Sequence, residues 1–132
     1  MKPHALVVDD EETICRVLKT FLTQRGFRVT TAGSSAAVQR ELARQRFDLV
    51  TLDVDLGGEY GLGLMPVIGE ADPPPPVIVY SGVGADSELA NLALAKGAVA
   101  FVSKGDSLAV LGEAVRRAVP AAASAAGRGA GK

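Results

Sequence analysis

The chain has 132 residues, 48% hydrophobic and 22% charged, which fits one domain able to bury its own core without a disulfide or structural metal. Its formal net charge of -1 excludes the strong positive balance of a nucleic-acid binder, so the groups Arg40, Arg44, Arg46 and Arg116, Arg117 read as solvated helix faces. Cys15 is the single cysteine and no apolar run approaches a membrane span, so a reducing cytoplasm is the expected location.

Taken in chain order, Ala5-Leu6-Val7-Val8 is an apolar run ending in Asp9-Asp10-Glu11-Glu12 and reads as a strand buried on both faces. Ile14, Val17, Leu18, Phe21 and Leu22 then recur at helical spacing, with Gly26 as the stop. Phe27 to Thr31 is a weaker second strand. Ser34 or Ser35 caps a helix carrying Val38, Leu42 and Ala43. Asp48 to Asp53 forms the third strand, apolar until it meets Asp53 and Asp55.

The glycine-rich stretch Gly57-Gly58-Glu59-Tyr60-Gly61 is expected to be a loop. Leu62 to Ile68 fits a short helix with Pro66 in its first turn, and Pro73 to Pro76 a stiff extended connector. Val77 to Tyr80 is the fourth strand and ends at Ser81. Asp86 or Ser87 caps a helix through Ala95, closed by Gly97. Ala98 to Ser103 is the fifth strand and ends at Lys104. Asp106 or Ser107 opens a last helix with Leu108, Leu111, Val115 and Val119 on one face. Residues 1–119 therefore form the domain. Residues 120–132, rich in Ala and Gly with nothing large to bury, read as a tail or linker.

Five strands alternating with five helices imply an α/β fold with a parallel sheet covered on both faces. Right-handed crossovers narrow it to a doubly wound, flavodoxin-like (βα)5 arrangement with strand order 2-1-3-4-5. In such a sheet ligands bind beyond the carboxyl ends of the strands. Asp9 and Asp10 follow strand one, Asp53 strand three, Ser81 strand four and Lys104 strand five, so one rim gathers them all. Three carboxylates in close quarters repel one another and call for a cation; an all-oxygen set without His or Cys favours Mg²⁺. An aspartate can act as a nucleophile and form an acyl phosphate. A cation, the Lys104 ammonium and the Ser81 hydroxyl would together serve the three equatorial oxygens of a transferring phosphoryl group. Singly, each residue has an ordinary alternative: Asp10 or Glu11 as a helix cap, Ser81 or Lys104 as a solvated loop residue.

The segments ALVVDDEE, DLVTLDVDLGGEYG, VIVYSG and AKGAVAFVSKG, in this order and spacing over residues 4 to 119, resemble the receiver domain of two-component response regulators. The resemblance implies phosphorylation on Asp53, Mg²⁺ bound by Asp9, Asp10, Asp53 and the backbone carbonyl of Asp55, and phosphoryl stabilisation by Ser81 and Lys104. It also implies that Ser81 and Phe101 form a switch, Phe101 being otherwise a half-buried strand residue. The implied donor is a histidine kinase or phosphotransfer protein. The implied output is a surface of the fourth helix, fifth strand and fifth helix that meets a second copy or a downstream effector, with no direct role for nucleic acid or membrane. Gly57 and Gly105 stand where the family usually has proline. Gly57 and Gly58 imply a mobile loop, and Lys104-Gly105 a trans bond or local strain. Asp55 adds an acid that is either solvated or able to orient the water that hydrolyses the acyl phosphate.

Three other readings compete. Asp53-Val54-Asp55 resembles the nucleophile motif of haloacid-dehalogenase-type phosphohydrolases, but Gly57 occupies the position of that family's Thr and the acidic pair comes first in the chain, not late. A receiver-like module that no longer takes phosphate would lack part of the set. A nucleotide site built on Gly57, Gly58, Gly61 and Gly63 lacks both the G-x-G-x-x-G spacing and the position after strand one.

Overall fold

Every residue of the first strand is buried, as its uninterrupted apolar run requires of a strand covered on both faces. In the computed structural model, which describes residues 2–84 and 87–120, that strand, β1 (His4–Val8), lies inside a five-stranded parallel sheet. The other sheet strands are β2 (Arg28–Ala32), β3 (Leu49–Leu52), β6 (Val77–Ser81) and β7 (Ala100–Ser103), in the order β2-β1-β3-β6-β7. This is the doubly wound order expected from the sequence, with β6 and β7 as the fourth and fifth sheet strands. The helices are α1 (Glu12–Gln24), α2 (Ser35–Arg44), α3 (Met65–Gly69), α4 (Glu88–Ala95) and α5 (Leu108–Ala118). No helix among the described residues is long and apolar enough to cross a membrane.

Successive side chains of a strand point to opposite faces, so the sheet divides its apolar residues into two cores. Ala5, Val7, Leu49, Ile78, Tyr80 and Val102 meet Leu18 and Leu22 of α1 and Leu111 and Val115 of α5. Leu6, Val8, Val50, Leu52, Val77 and Val79 meet Val38, Met65, Ile68 and Ala93, which come from α2, α3 and α4.

The local signals act as anticipated at most element ends. Gly26 and Gly97 take positive φ at the ends of α1 and α4. Ser34 accepts a hydrogen bond from the Ala37 N–H, and Ser87 one from the Ala90 N–H. Asp86, the other candidate cap of α4, lies outside the described residues, as do tail residues 121–132. Pro66 falls in the first turn of α3, which a 3₁₀ turn over Gly61–Leu64 precedes.

The glycine-rich stretch differs from the expected loop. It forms a hairpin of β4 (Asp55–Leu56) and β5 (Glu59–Tyr60), pairing Asp55 with Tyr60 and Leu56 with Glu59. The two turn residues, Gly57 at φ 63° and Gly58 at φ 97°, have the paired positive φ that a two-residue hairpin turn demands. Gly-Gly is thus the hairpin signal itself. Just beyond, Gly61 donates its N–H to the Val54 carbonyl, and a β-carbon at Gly61 would lie 1.9 Å from the Asp53 carbonyl oxygen. No side chain fits there. Lys104–Gly105 is a trans bond, and the Gly105 N–H donates to Ser103 Oγ at 3.2 Å. The proline-free sequence therefore settles in the cheaper isomer.

The sole histidine, His4, is buried at the amino end of β1, against the Phe47 ring. Its Nε2 lies 2.7 Å from Thr30 Oγ1, while its buried Nδ1 has no partner. Protonation would place a second N–H where no acceptor waits. Burial and the positive charge of Arg28 lower the His4 pKa, with Asp48 and Glu41 opposing them.

Two predictions follow from this packing. Because the folded pKa lies below the ordinary 6.5, the unfolded chain binds a proton that the native chain refuses, so stability is lost as pH falls through 6.5 and levels off below the folded value. Urea midpoints of wild type and His4→Gln at pH 7 and pH 5 should show the extra acid loss in wild type alone. The ring resonances of His4 should titrate below 6.5 by NMR. Gly61→Ala should lower the unfolding free energy by about 3 kcal/mol, the upper end of overpacking costs, because backbone is what the methyl strikes. A urea midpoint equal to wild type would contradict it.

Candidate acidic-rim site

The sheet ladders carry the chain past the ends of β1 and β3 and so fix where the acids stand. The Asp9 N–H donates to the Ala32 carbonyl, and the Asp53 N–H donates to the Val8 carbonyl, both at 3.0 Å. Asp9 and Asp53 are consequently held by backbone hydrogen bonds one residue beyond their strands, on adjacent strands of the sheet. Both are buried, whereas Asp10 is exposed. One carboxylate oxygen from each of Asp9, Asp10 and Asp53 falls within 4.8 Å of the others.

Lys104 reaches this cluster because β7 pairs with β6. Ser103 is in register with Ser81, and the Lys104 N–H donates to the Ser81 carbonyl at 2.7 Å. Its ammonium then lies 2.8 Å from Asp9 Oδ2, 3.0 Å from Asp53 Oδ2 and 3.7 Å from Glu11 Oε2. Burial alone would depress the lysine pKa, but hydrogen bonds to Asp9 and Asp53 and their negative charge outweigh it and raise it. Lys104 is therefore a fixed cation. Burial raises the Asp9 pKa, although the bond from Lys104 and the Glu11 N–H at 2.9 Å pull the other way. Asp53 adds to the rise through repulsion. Three carboxylates against one ammonium leave negative charge uncompensated, and the donors are all oxygen. A hard divalent cation fits this set.

The sequence-predicted residues divide cleanly. Asp9, Asp10, Asp53 and Lys104 come together. Ser81 is buried at the end of β6, next to Lys104 through its carbonyl. Asp55 stands at the start of the hairpin, where its N–H lies 3.4 Å from Asp53 Oδ1 and its own Oδ1 accepts from the Gly58 N–H at 3.0 Å. Phe101 is half-buried on β7 and packs against the α2–α3–α4 core. Neither Asp10 nor Glu11 caps α1 by a side chain; the Asp9 carboxylate instead receives the Glu11 N–H.

Three contributors escaped the sequence reading. Glu11 is a third acid near Lys104, hidden because an acid beside a helix start already has an ordinary explanation. Gly61 carries the chain directly over the Asp53 carbonyl, and its signal was the glycine spacing after Asp53. Glu59 binds the Ser35 N–H at 2.9 Å, a contact across 24 positions that no local pattern announces.

Comparison with known proteins agrees with this geometry. The family model for the response regulator receiver domain matches residues 5–116. The nitrogen assimilation regulatory protein NtrX of Azorhizobium caulinodans is 34% identical over 118 residues, which cover 86% of this chain and 26% of that protein. A response regulator from Thermotoga maritima superposes with a TM-score of 0.80 at 31% identity, covering 91% of this chain and 99% of that one. TrrA, also from Thermotoga maritima and solved in complex with Mg²⁺-BeF, gives a TM-score of 0.74 at 29% identity, covering 89% and 98%. The chain spans between 26% and 40% of the length of the curated relatives it matches. With its five-stranded doubly wound sheet and the acidic rim at the carboxyl ends of the strands, this chain belongs to the response regulator receiver domain family, a phosphoacceptor module of phosphorelay signalling and not a classical enzyme.

Proposed function

We infer that Asp53 is the phosphoacceptor, and that residues 1–119 act as a Mg²⁺-dependent receiver whose donor is a histidine kinase or phosphotransfer protein. One observation carries the assignment. Asp53 is the buried acid at the end of the central strand β3, and its Oδ2 lies 3.0 Å from the Lys104 ammonium within the cluster of Asp9 and Asp10. A carboxylate oxygen of Asp53 attacks phosphorus and forms the new O–P bond. The N–P bond of a phosphohistidine donor breaks, and its electron pair returns to the imidazole nitrogen. Asp9, Asp10, Asp53 and the Asp55 backbone carbonyl would hold Mg²⁺, which supplies charge neutralisation at the phosphoryl oxygens. Lys104 is already a permanent cation in place, and Ser81 offers a hydroxyl on the neighbouring strand end.

The output surface is inferred from position and exposure. Leu92 and Leu94 on α4, Val99 before β7 and Val110 on α5 are large apolar residues left in solvent. Phe101 lines the groove between β7 and α5 together with Pro76, Val110 and Arg117. A charge of about -1.5 to -2 added at the rim can bias Ser81 and, through the β6–β7 pairing, Phe101. These exposed residues support the reading that the signal is read, by a second copy or a downstream effector, at the face of α4, β7 and α5.

Incubation with acetyl phosphate and Mg²⁺ should label wild type with a single phosphoryl group by intact mass. Asp53→Asn, or chelation of the metal, should abolish the label. Equal labelling of Asp53→Asn would refute the assignment. The Asp55 carboxylate gives one oxygen to the Gly58 N–H, an acceptor role that an asparagine amide oxygen can also fill. Asp55→Asn should therefore keep the hairpin yet lengthen the acyl-phosphate lifetime, because the charge that orients the hydrolytic water is gone. An unchanged half-life would remove Asp55 from that step.

A further inference from the structure

Two-stranded hairpins are marginal by themselves, and this one has only two residues in each strand. Its near strand, β4, is secured by the buried side chain of Leu56. Its far strand, β5, is exposed at both Glu59 and Tyr60. Among the described residues, the side-chain hydrogen bond that ties β5 to another element is the one from the Ser35 N–H to Glu59 Oε1, at 2.9 Å. Ser35 is the first residue of α2, where backbone N–H groups have no partner inside the helix and a carboxylate is favoured. The helix already has a local cap in Ser34, whose hydroxyl takes the Ala37 N–H. What the long-range bond adds is an anchor for the hairpin.

That hairpin is a wall of the acidic rim. Asp55 begins it, and Gly57 at its turn faces the Asp10 side chain, for a β-carbon there would lie 3.3 Å from Asp10 Oδ2. Asp10 is the exposed member of the acidic cluster and so the one most in need of backing. We propose that Glu59 is a positioning residue: by latching the Asp55–Tyr60 hairpin to the amino end of α2, it holds Asp55 and Asp10 where they can share a divalent cation with Asp9 and Asp53. Glu59 touches neither the cation nor the phosphoryl group. It acts through the backbone between itself and Asp55, and the inference rests on reading the rim as a Mg²⁺ site.

The bond can be cut from either end, which separates a latch from a simple charge. Glu59→Ala removes the acceptor. Ser35→Pro removes the donor while leaving every charge in place, and the first helical position tolerates proline. Ser34 before it already has the extended φ of -150° and ψ of 163° that a following proline requires. Mg²⁺ affinity, measured by isothermal titration calorimetry, should fall about fivefold in each variant, the loss of one net hydrogen bond. The double variant should bind no more weakly than either single one. Glu59→Gln, which keeps an acceptor oxygen, and Ser35→Ala, which keeps the N–H, should bind as wild type does. Melting temperatures in EDTA should confirm that all variants are folded.

Wild-type affinity in Glu59→Ala and Ser35→Pro would overturn the latch. So would a Glu59→Gln as weak as Glu59→Ala, which would reduce the effect to charge, or additive losses in the double variant. Acetyl phosphate labelling of the same samples tells two failures apart. If wild type binds Mg²⁺ and labels on Asp53 while the latch variants are unaltered, the latch alone fails. If wild type binds no Mg²⁺, both the latch and the reading of the rim fail together.

Discussion

Lys104 and the two buried carboxylates it bridges are the constraint around which the rim is organised. A buried carboxylate is costly, and Asp9 and Asp53 stand side by side on neighbouring strands. Their joint presence is tolerable because one ammonium lies within 3.0 Å of both. The lysine in turn keeps its proton in a half-buried site because of those acids. Removing Lys104 would leave two buried carboxylates facing each other with no cation between them, which is far more costly than removing all three. The cluster nevertheless stays short of neutrality by design of its composition: Asp10 and the nearby Glu11 add charge that Lys104 alone does not balance. Fixed carboxylates, one fixed cation and a residual negative charge make a place that a small divalent cation and an incoming phosphoryl group can complete together.

The topology explains why this arrangement arises between β1 and β3. From β1 the chain crosses over α1 to β2 at one side, then over α2 to β3 at the other. The packing puts α1 and α2 against opposite cores, so their connections leave the sheet in opposite directions and open a crevice above β1 and β3. Asp9 and Asp53 are the first residues past those two strands. The hydrogen-bonded ladder continues through their own N–H groups, so the crevice has a rigid floor. Rigidity matters because placement accounts for most of the catalysis of phosphoryl transfer.

The wall of the site is built on a different principle. The Asp55–Tyr60 hairpin has no sheet to join and depends on a glycine turn, on Gly61 passing over the Asp53 carbonyl, and on Glu59 reaching α2. Floor and wall thus differ in their mechanical character: one is core, the other a clipped loop. The family usually places proline where Gly57 stands, and here the paired glycines achieve order by another route, a tight hairpin turn in place of a fixed φ. The same substitution of means appears after Lys104, where a trans bond and the Ser103 hydroxyl hold Gly105.

Much of this was readable from residue order alone. Uninterrupted apolar runs announced strands buried on both faces, helical spacing announced their covers, and Ser34, Gly26 and Gly97 marked ends, because these signals depend on neighbours a few positions away. The doubly wound order followed from chirality, and with it the prediction that Asp9, Asp10, Asp53, Ser81 and Lys104 share a rim. The sequence by itself could not decide which acid Lys104 pairs with, because Asp9, Glu11 and Asp53 are chemically alike and only the β6–β7 register directs the ammonium. Nor could it show that Glu59 meets Ser35, 24 positions away; the Gly57-Gly58 turn, by contrast, carries a local hairpin signal. The pairs that Lys104 and Glu59 make are contacts between segments far apart in the chain, and their geometry exists only once the two cores have set the elements against one another.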